Sequence, residues 1–215
     1  MKNRGLIAFL RDWVRDNPHV WWALALIPIF ICYGLPEHLV VNSYHPTEIA
    51  FDSLIPFLPG FVWFYLLWFP LLVYGGMWML VFDGSVFRRY MLYLLCAYLL
   101  CAAIYLLYPN GQNLRPDPMT VYDRNTVVMA FIYSLDTNTN VLPSLHVIGS
   151  MGAAFGLCSS ARNHNVAAKL AVAVLALLVS ISTVFVKQHG IVDVLAGFAV
   201  GMVLSPIILC RKNKK

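Results

Sequence analysis

The sequence predicts an all-α integral membrane protein with six transmembrane helices and a short amphipathic helix in the membrane interface near its N-terminus. Of its 215 residues, 60% are hydrophobic and only 12% are charged. A soluble domain of this size cannot bury so much apolar surface, whereas the hydrocarbon core of a bilayer accepts it. The apolar residues are also grouped into six stretches, near the roughly 20 residues that a spanning helix needs.

The six apolar stretches occupy just over half of the chain. They cover residues 20–35, 58–82, 91–107, 145–158, 167–186 and 191–210. Because this leaves no room for a separate soluble domain, residues 1–215 are predicted to form one membrane domain. The five cysteines lie within these stretches or at their ends, without the paired spacing of a metal site or a disulfide framework. They are predicted to be small packing residues.

The segment 1–17 lacks the long apolar core of a signal peptide. Its apolar residues share one helical face: Leu6, Phe9, Leu10, Trp13 and Val14. Its arginines lie elsewhere around the helix: Arg4, Arg11 and Arg15. This pattern favours a helix in the membrane interface, and a frayed basic terminus is the alternative.

The fifteen Lys and Arg residues predict the orientation of the chain. With six spans, both ends lie on one side, and twelve of these residues fall there or in the second and fourth loops. The other side holds three: Arg115, Arg124 and Lys187. Since short loops rich in Lys and Arg remain in the cytoplasm, both termini are predicted to be cytoplasmic, with the plasma membrane as the expected location. The outer loops are then residues 36–57, 108–144 and 187–190. Basic residues scattered in this way are not typical of a nucleic-acid-binding face.

Three polar clusters lie at the outer ends of the predicted spans. They are Asn-Leu-Arg-Pro at 113–116, Pro-Ser-Leu-His at 143–146, and Lys-Gln-His at 187–189 followed by Asp193. Each pattern is weak alone, but all three fall on the same side. The sequence therefore predicts one functional site at the outer rim.

His189 and Asp193 are spaced at i and i+4, which puts both side chains on one helical face. A carboxylate in that position can accept the Nδ1 proton of the imidazole and leave Nε2 free to attack. The alternative is an aspartate that favours a helix N-terminus beside an interfacial histidine. Function is preferred because Asp193 lies in an apolar span, where ionisable groups are costly.

His146 follows Pro143 and Ser144, which are ordinary residues for the start of a helix. That explanation accounts for the proline and the serine but not for the histidine. Free backbone N–H groups at a helix start can hold phosphate oxygens. A histidine beside them is well positioned to protonate a leaving oxygen.

Arg115 and Lys187 are candidates for the positive charge that a phosphate needs. For Arg115 the alternative is a solvated loop charge, and for Lys187 it is an interfacial lysine that reaches towards water. Glycines at 152 and 156, and at 197 and 201, allow close packing of the fourth and sixth spans, which would bring His146 and His189 together. Generic packing against the third or fifth span is the alternative for these glycines.

These clusters resemble the motifs of the type 2 phosphatidic acid phosphatase (PAP2) superfamily, whose members have six spans. The family pattern is K-x6-R-P, then P-S-G-H, then S-R-x5-H-x3-D, and the resemblance covers roughly residues 90–200. The matching residues occur in the same order: Arg115, Pro116, Pro143, Ser144, His146, Ser182, His189 and Asp193.

The resemblance implies a role for each candidate residue. His189 resembles the nucleophile that forms a phosphohistidine, supported by Asp193, and His146 resembles the acid for the leaving group. Arg115 and Ser144 resemble phosphate-holding positions. The resemblance implies no metal and no other cofactor.

Three positions depart from the family pattern. Tyr108 and Thr183 stand where the family has lysine and arginine, and Leu145 stands where it has glycine. Lys187 is a candidate to replace one of the missing cations. The thinner cationic set resembles the branch with inositol phosphorylceramide and sphingomyelin synthases, which transfer a phospho-headgroup to a lipid alcohol.

Three functions remain open from the sequence. The first is a lipid phosphate phosphatase, and the second is a phospho-headgroup transferase with a lipid alcohol as acceptor. The third is a non-catalytic transporter or scaffold, which the clustering of polar residues at one rim does not favour. The predicted partners are a lipid phosphate or phospholipid and the surrounding membrane lipids; oligomeric state is left open. Four outer aromatic residues are candidates to shape an acceptor site: Tyr44, Phe51, Tyr122 and Tyr133.

Overall fold

The computed structural model describes residues 5–39, 43–116 and 123–210, and these residues are almost entirely helical. Their α-helices are α1 Leu6–Asp16, α2 Leu26–Leu39, α3 Val62–Leu66, α4 Trp68–Phe82, α5 Gly84–Leu107, α6 Arg124–Leu135, α7 Leu145–Ser159, α8 Val166–Phe185 and α9 Ile191–Leu204. Short 3-10 helices cover Pro18–Ala25, Ala50–Leu54 and Pro59–Phe61, and a π-helical turn covers Ser205–Leu209. The strands β1 (His45–Pro46) and β2 (Asn110–Gly111) pair in parallel.

Five helical segments among the described residues are long and apolar enough to cross a membrane. They are Pro18–Leu39, Pro59–Phe82, Gly84–Leu107, Val166–Phe185 and Ile191–Leu209. Each coincides with a predicted apolar stretch, so the helical character of the fold is confirmed. The stretch predicted at 145–158 forms α7, which has only 15 residues, fewer than the roughly 20 that span a bilayer. The count of six spans therefore stays a prediction.

The second span is interrupted at Leu67, between α3 and α4. Pro70 explains the interruption, because it has no N–H to donate to the carbonyl four residues earlier. At the far end of α4, Asp83 caps α5 by accepting a hydrogen bond from the Val86 N–H at 3.2 Å. Ser160 donates to the same carboxylate at 2.7 Å, which ties the end of α7 to this turn.

The short helix α7 lies at the centre of the bundle, where it packs against α4, α5, α8 and α9. Twelve of its 15 residues are buried. Many of them are glycine or alanine, which allow neighbouring helices to approach closely. A helix surrounded by other helices has little contact with lipid, so its length is set by its neighbours and not by the bilayer.

The two glycine pairs have different partners. On α9, a Cβ at Gly197 would lie 2.9 Å from the Val147 Cβ, and one at Gly201 would lie 2.3 Å from the Met151 sulfur, so both glycines allow α9 to pack closely on α7. On α7, by contrast, Gly152 faces Tyr93 of α5, and Gly156 faces the side chains of α4 and α5. The glycines at 197 and 201 therefore allow α7 and α9 to pack together as expected, while those at 152 and 156 allow α7 to pack against α4 and α5.

The N-terminal segment does form a helix, α1, and none of its residues is buried. Its location in the membrane interface stays a prediction. The basic residues at 2, 4, 211, 212, 214 and 215, together with Tyr122, lie outside the described residues. The loop predicted to be outer, residues 108–144, contains the helix α6, which the sequence did not predict and which begins at an Asp123 cap.

Candidate active site

His146 and His189 meet at one end of the bundle. The Nδ1 atom of His146 lies 3.2 Å from the Nε2 atom of His189, within hydrogen-bond distance. The rings are 9% and 5% exposed, respectively. His146 lies in the first turn of α7, and His189 lies in the short turn between α8 and α9. Two histidines that are 43 residues apart in sequence therefore share one buried contact.

Ser144 connects the start of α7, which carries His146, to α9, which begins just after His189. It is fully buried and caps α7, with its side-chain oxygen accepting from the Val147 N–H at 3.4 Å. Its own N–H donates to the backbone carbonyl of Asp193 at 3.1 Å, which joins the start of α7 to the first turn of α9. Its hydroxyl thus caps the helix start, and its role in holding phosphate stays a prediction.

Asp193 lies near His189 without forming the predicted hydrogen bond. Its Oδ2 atom accepts from the Gly190 N–H at 2.7 Å, and the same oxygen is 3.8 Å from His189 Nδ1. Neither His189 Nδ1 nor Asp193 Oδ1 has a hydrogen-bond partner among the described residues. The carboxylate thus caps its own helix and still faces the imidazole. Closing the gap by roughly 0.6–1 Å would form the bond, and such contacts often tighten only when substrate binds.

The turn that carries His189 is held by the segment 49–55. The ammonium of Lys187 donates to the backbone carbonyls of Asp52 at 2.8 Å and Ile55 at 2.7 Å. Burial lowers the pKa of Lys187, and the nearby Asp52 opposes this effect. Lys187 does not line the cavity at the histidines. The ammonium therefore holds this turn, and the candidate role of Lys187 in replacing a missing phosphate cation stays a prediction.

Arg115 also holds this turn, through Gln188. Its guanidinium donates to the carbonyl of Asp136 at 2.9 Å, to the carbonyl of Thr137, and to the side-chain oxygen of Gln188. It also lies 4.5 Å over the ring of Tyr133. Burial lowers the pKa of Arg115, while Asp136 acts in the opposite direction. Arg115 is thus one residue removed from the cavity, which Gln188 lines directly.

A small cavity of about 30 Å³ lies in front of the histidine pair, with room for one or two water molecules. The aromatic residues Tyr33 and Trp68 line it. The Trp68 and Tyr65 rings pack against His146, with ring centroids 4.6 and 4.7 Å from that of His146. Leu145, which stands where the family motif has glycine, also lines the cavity. The cavity has the size of a phosphoryl group at most, so a larger substrate must extend beyond it.

A family model described as the PAP2 superfamily matches residues 88–215, more than half of the chain. The chain belongs to the PAP2 superfamily. No curated protein and no solved structure matches it. Membership indicates phosphoryl transfer on a lipid phosphate in a membrane, and all the predicted site residues lie within the matched region.

Two further acidic residues complete the site, and sequence reasoning did not identify them as functional; Glu37 lies outside the PAP2 match. Two carboxylates, Glu37 and Asp136, line the cavity, and Glu37 comes from the first span. Glu37 accepts a hydrogen bond from the Thr137 hydroxyl. Asp136, which lies within the match, accepts from the Tyr65 hydroxyl and the Gln188 amide, both at 3.3 Å. Burial raises the pKa of Asp136, with Arg115 acting in the opposite direction.

Asp52 is a second residue outside the PAP2 match that positions the site. It is fully buried, and its two oxygens accept from the backbone N–H groups of Ile191 at 2.8 Å and Ile49 at 2.9 Å. A sequence signal was present, because an aspartate in the largely apolar segment 49–63 is costly to bury without partners.

The chain that follows α5 joins the three motif clusters. The Asn110 side-chain oxygen accepts from the N–H groups of Val141 and Leu142 at 2.9 and 2.8 Å, just before α7. The Gln112 amide donates to the carbonyl of Lys187 at 2.8 Å, after α8. Two buried amide side chains therefore hold both histidine-bearing segments in register.

The positions where this PAP2 protein lacks the family cations are used differently. Tyr108 stacks on His45 with ring centroids 4.7 Å apart. The Thr183 hydroxyl donates to the Ser180 carbonyl at 2.7 Å within α8, and the Ser182 hydroxyl donates to the Val179 carbonyl at 2.6 Å. None of these three side chains lines the cavity.

Two of the aromatic residues that were candidates to shape an acceptor site form hydrogen bonds in the structure. Tyr44 donates to the Asn113 side chain at 2.6 Å, and Tyr133 donates to the Val186 carbonyl at 2.6 Å. Phe51 is 57% exposed. Among residues 5–39, 43–116 and 123–210, no group of three or more His, Cys, Asp or Glu side chains is arranged to hold a metal ion.

Proposed function

We propose that this PAP2 protein transfers a phosphoryl or phospho-headgroup from a membrane lipid through a covalent phosphohistidine on His189. The observation that carries the proposal is the 3.2 Å contact between His189 Nε2 and His146 Nδ1. To attack phosphorus, Nε2 must be unprotonated, so the ring proton of His189 is on Nδ1, facing Asp193 at 3.8 Å. The proton between the two histidines then belongs to His146.

His146 changes from acid to base between the two steps of the reaction, while His189 carries the phosphoryl group between them. In the first step, the lipid phosphate displaces the contact between the rings, a bond forms from Nε2 to phosphorus, and the bond to the leaving oxygen breaks. His146 enters this step as an imidazolium, and its Nδ1 proton passes to that oxygen, which leaves the ring neutral. In the second step, neutral His146 takes a proton from the incoming hydroxyl, whose oxygen forms a bond to phosphorus as the nitrogen–phosphorus bond breaks. Asp193 stabilises the positive charge that the His189 ring carries while it is phosphorylated.

In this site, the N-terminal ends of helices stabilise a bound phosphate more than side-chain cations do. Both α7 and α9 begin at the histidine pair, and helix N-termini favour bound phosphate. Arg115 contributes positive charge through Gln188, while Lys187 is engaged by the 49–55 segment. Phosphate binding therefore depends mainly on backbone dipoles and one guanidinium.

Hydrolysis of a lipid phosphate is the first candidate for the second step. Its support is the small size of the cavity, which accepts water, and the histidine that can activate it. In this form the enzyme is a lipid phosphate phosphatase, and it releases inorganic phosphate.

Transfer of a phospho-headgroup to a lipid alcohol is the second candidate. Its specific support is the pair of carboxylates, Glu37 and Asp136, in the wall of the cavity. Negative charges there repel a phosphate monoester with two charges more than a diester with one. A carboxylate can also accept a hydrogen bond from the hydroxyl group of an acceptor lipid.

The test uses purified protein offered three substrates: phosphatidic acid, a polyprenyl phosphate, and a phospholipid diester together with a lipid alcohol. Release of inorganic phosphate supports the phosphatase, and headgroup on the added alcohol supports the transferase. His189→Ala is expected to abolish turnover and the acid-labile phosphoenzyme, whereas the control His164→Ala, at an exposed histidine in the loop between α7 and α8, retains both. Full activity in His189→Ala excludes this nucleophile, and silence on every substrate favours a non-catalytic role.

We also propose that both termini are cytoplasmic and that the histidine pair lies at the extracytoplasmic end of the bundle, in the plasma membrane. The support is the charge distribution, with twelve basic residues on one side and three on the other.

A further inference from the structure

An apolar groove of about 290 Å³ runs along the side of the bundle, between the first span, α4 and α5. Leu26 and Phe30 of the first span form one wall, Val73 and Met77 of α4 form the other, and Met91 of α5 contributes to the floor. The groove exists because the first span packs chiefly along α5 and leaves one face of α4 uncovered.

The groove meets the catalytic cavity at two residues. Tyr33 and Trp68 line both spaces. The Trp68 ring is 4.6 Å from the ring of His146, so one end of the groove lies directly beside the proposed acid of the reaction. The apolar groove and the small cavity at the histidines are thus continuous with each other.

The opposite end of the groove lies near the other end of the bundle. Ala23 and Leu80 line it there. Beyond them, His19 contacts the Leu80 carbonyl through its Nε2 atom at 2.8 Å. The helical distance from Ala23 to Tyr33, ten residues at 1.5 Å each, is about 15 Å. The groove is therefore long enough to hold much of one lipid chain.

From this continuity we infer that the groove binds one hydrocarbon chain of the lipid whose phosphate reacts at His189. The inference rests on the proposed function and identifies the part of the protein that recognises the apolar portion of the substrate. A lipid substrate must present its phosphate at the histidines while its chain stays in an apolar environment. This groove is an apolar space that shares lining residues with the catalytic cavity.

The groove acts by positioning the substrate. A lipid chain in the bilayer is already in hydrocarbon, so moving it into the groove contributes little hydrophobic free energy. Holding the chain beside Trp68 instead fixes the approach of the phosphate to His189. Such positioning determines how often the reacting atoms are aligned.

The first test fills the groove with Val73→Trp. Val73 is 62% exposed on the groove wall, and Val174, at 54% exposed on α8, does not line the groove, so Val174→Trp is the matched control. For a long-chain lipid phosphate, Val73→Trp is expected to lower kcat/KM about tenfold or more. For a short-chain, water-soluble phosphate with the same headgroup it leaves kcat/KM unchanged, and Val174→Trp changes neither value. Met77→Trp, on the same wall, repeats the test.

Equal kcat/KM for the long-chain substrate in Val73→Trp and wild type overturns the inference, and so does an equal loss on the short-chain substrate. A second test needs no turnover. In His189→Ala, phosphatidic acid with a diazirine in mid-chain is expected to label segments 23–33 and 68–80, and preferential labelling of α8 and α9 overturns the inference. If the groove is labelled but the wild type turns over no substrate, the proposed phosphoryl transfer is contradicted, while binding of a lipid chain in the groove is supported.

Discussion

The carboxylate of Asp52 accepts a hydrogen bond from the backbone N–H of Ile191 at 2.8 Å, and the carbonyl of the same residue accepts from the ammonium of Lys187 at 2.8 Å. These two contacts bracket His189 on both sides in sequence. The segment that carries Asp52 thus holds the turn of the proposed nucleophile from outside the PAP2 match. A positioning role for Asp52 follows.

Asp52→Asn is expected to destabilise the protein and slow the reaction. Each carboxylate oxygen accepts from a different backbone N–H, whereas an amide has one acceptor oxygen and one donor group. One buried N–H loses its partner, at a cost of about 1–3 kcal/mol in the free energy of unfolding. Thermal unfolding in detergent and kcat measure the two effects. Ser53→Ala, at an exposed neighbour, is the control, and an Asp52→Asn variant that matches it in both measurements contradicts the positioning role.

Asp193→Asn separates helix capping from orientation of the imidazole. The amide oxygen can still accept from the Gly190 N–H, so stability is expected to fall by only about 1 kcal/mol or less. The negative charge beside His189 is lost, so kcat is expected to fall roughly 10²–10⁴-fold, as for the orienting carboxylate of a catalytic triad. Steady-state kinetics and thermal unfolding on one preparation provide both values. A loss of kcat below tenfold would mean that Asp193 serves only as a cap.

Glu37→Gln tests whether the charge of the cavity selects the substrate. Removing one carboxylate lessens repulsion of a doubly charged phosphate monoester more than of a singly charged diester. The ratio of kcat/KM for monoester to that for diester is therefore expected to rise about tenfold, equivalent to roughly 1.4 kcal/mol of relieved repulsion. Glu48→Gln is the matched control, because Glu48 does not line the cavity. An unchanged ratio in Glu37→Gln removes the electrostatic argument for the diester.

Asp136 is expected to give the stability a specific pH dependence. Burial raises the pKa of its carboxyl above the usual 3.8. The folded state then holds this proton more tightly than the unfolded state, so its contribution to the free energy of unfolding is lost as the pH rises from about 4 through the raised pKa. Asp136→Asn has no titrating group there, so the stability difference, wild type minus variant, falls over that range.

Asp123→Asn is the control for this measurement and has the opposite sign. Hydrogen bonds from Thr126 lower the pKa of Asp123. Its contribution to stability is therefore present above its usual pKa and is lost as the pH falls. Thermal unfolding of the wild type and both variants across the acid range measures the two differences. A wild-type-minus-Asp136→Asn difference that is flat or rises with pH contradicts a raised pKa at Asp136.

The orientation of the bundle is tested with single cysteines. Ser134 is exposed on α6, and Arg162 is exposed in the loop between α7 and α8, at the opposite end of the bundle. On intact cells, an impermeant thiol reagent is expected to label Ser134→Cys and not Arg162→Cys, measured relative to the unsubstituted protein. Because the reagent cannot cross the bilayer, labelling of Arg162→Cys alone inverts the proposed topology.

Much of the helical framework was predictable because its signals are local. An apolar run of about 20 residues indicates a spanning helix without knowledge of its neighbours, and five such runs became helices of the expected length. The interruption of the second run at Leu67 was also encoded locally, by Pro70. The short length of α7 was not encoded locally, because it depends on the helices that surround α7.

The histidine pair was predictable for a related reason. His146 and His189 occur beside helix starts in recognisable motifs, and Gly197 indicated that their helices could approach. The direction of Lys187 was not predictable, because the carbonyls that bind its ammonium lie 132 and 135 residues away in the chain. Asp52, Glu37 and Trp68 were missed for the same reason.

The sequence by itself determined the long apolar helices and which motif residues are candidates for phosphoryl transfer, since hydrophobicity and motif spacing act over a few turns of chain. Only the tertiary structure decided which of those side chains face one another and how an apolar groove meets the cavity. It also decided that the ammonium of Lys187 binds backbone carbonyls of the 49–55 segment. Those outcomes depend on packing between distant segments, where close approach and burial are set by the whole bundle.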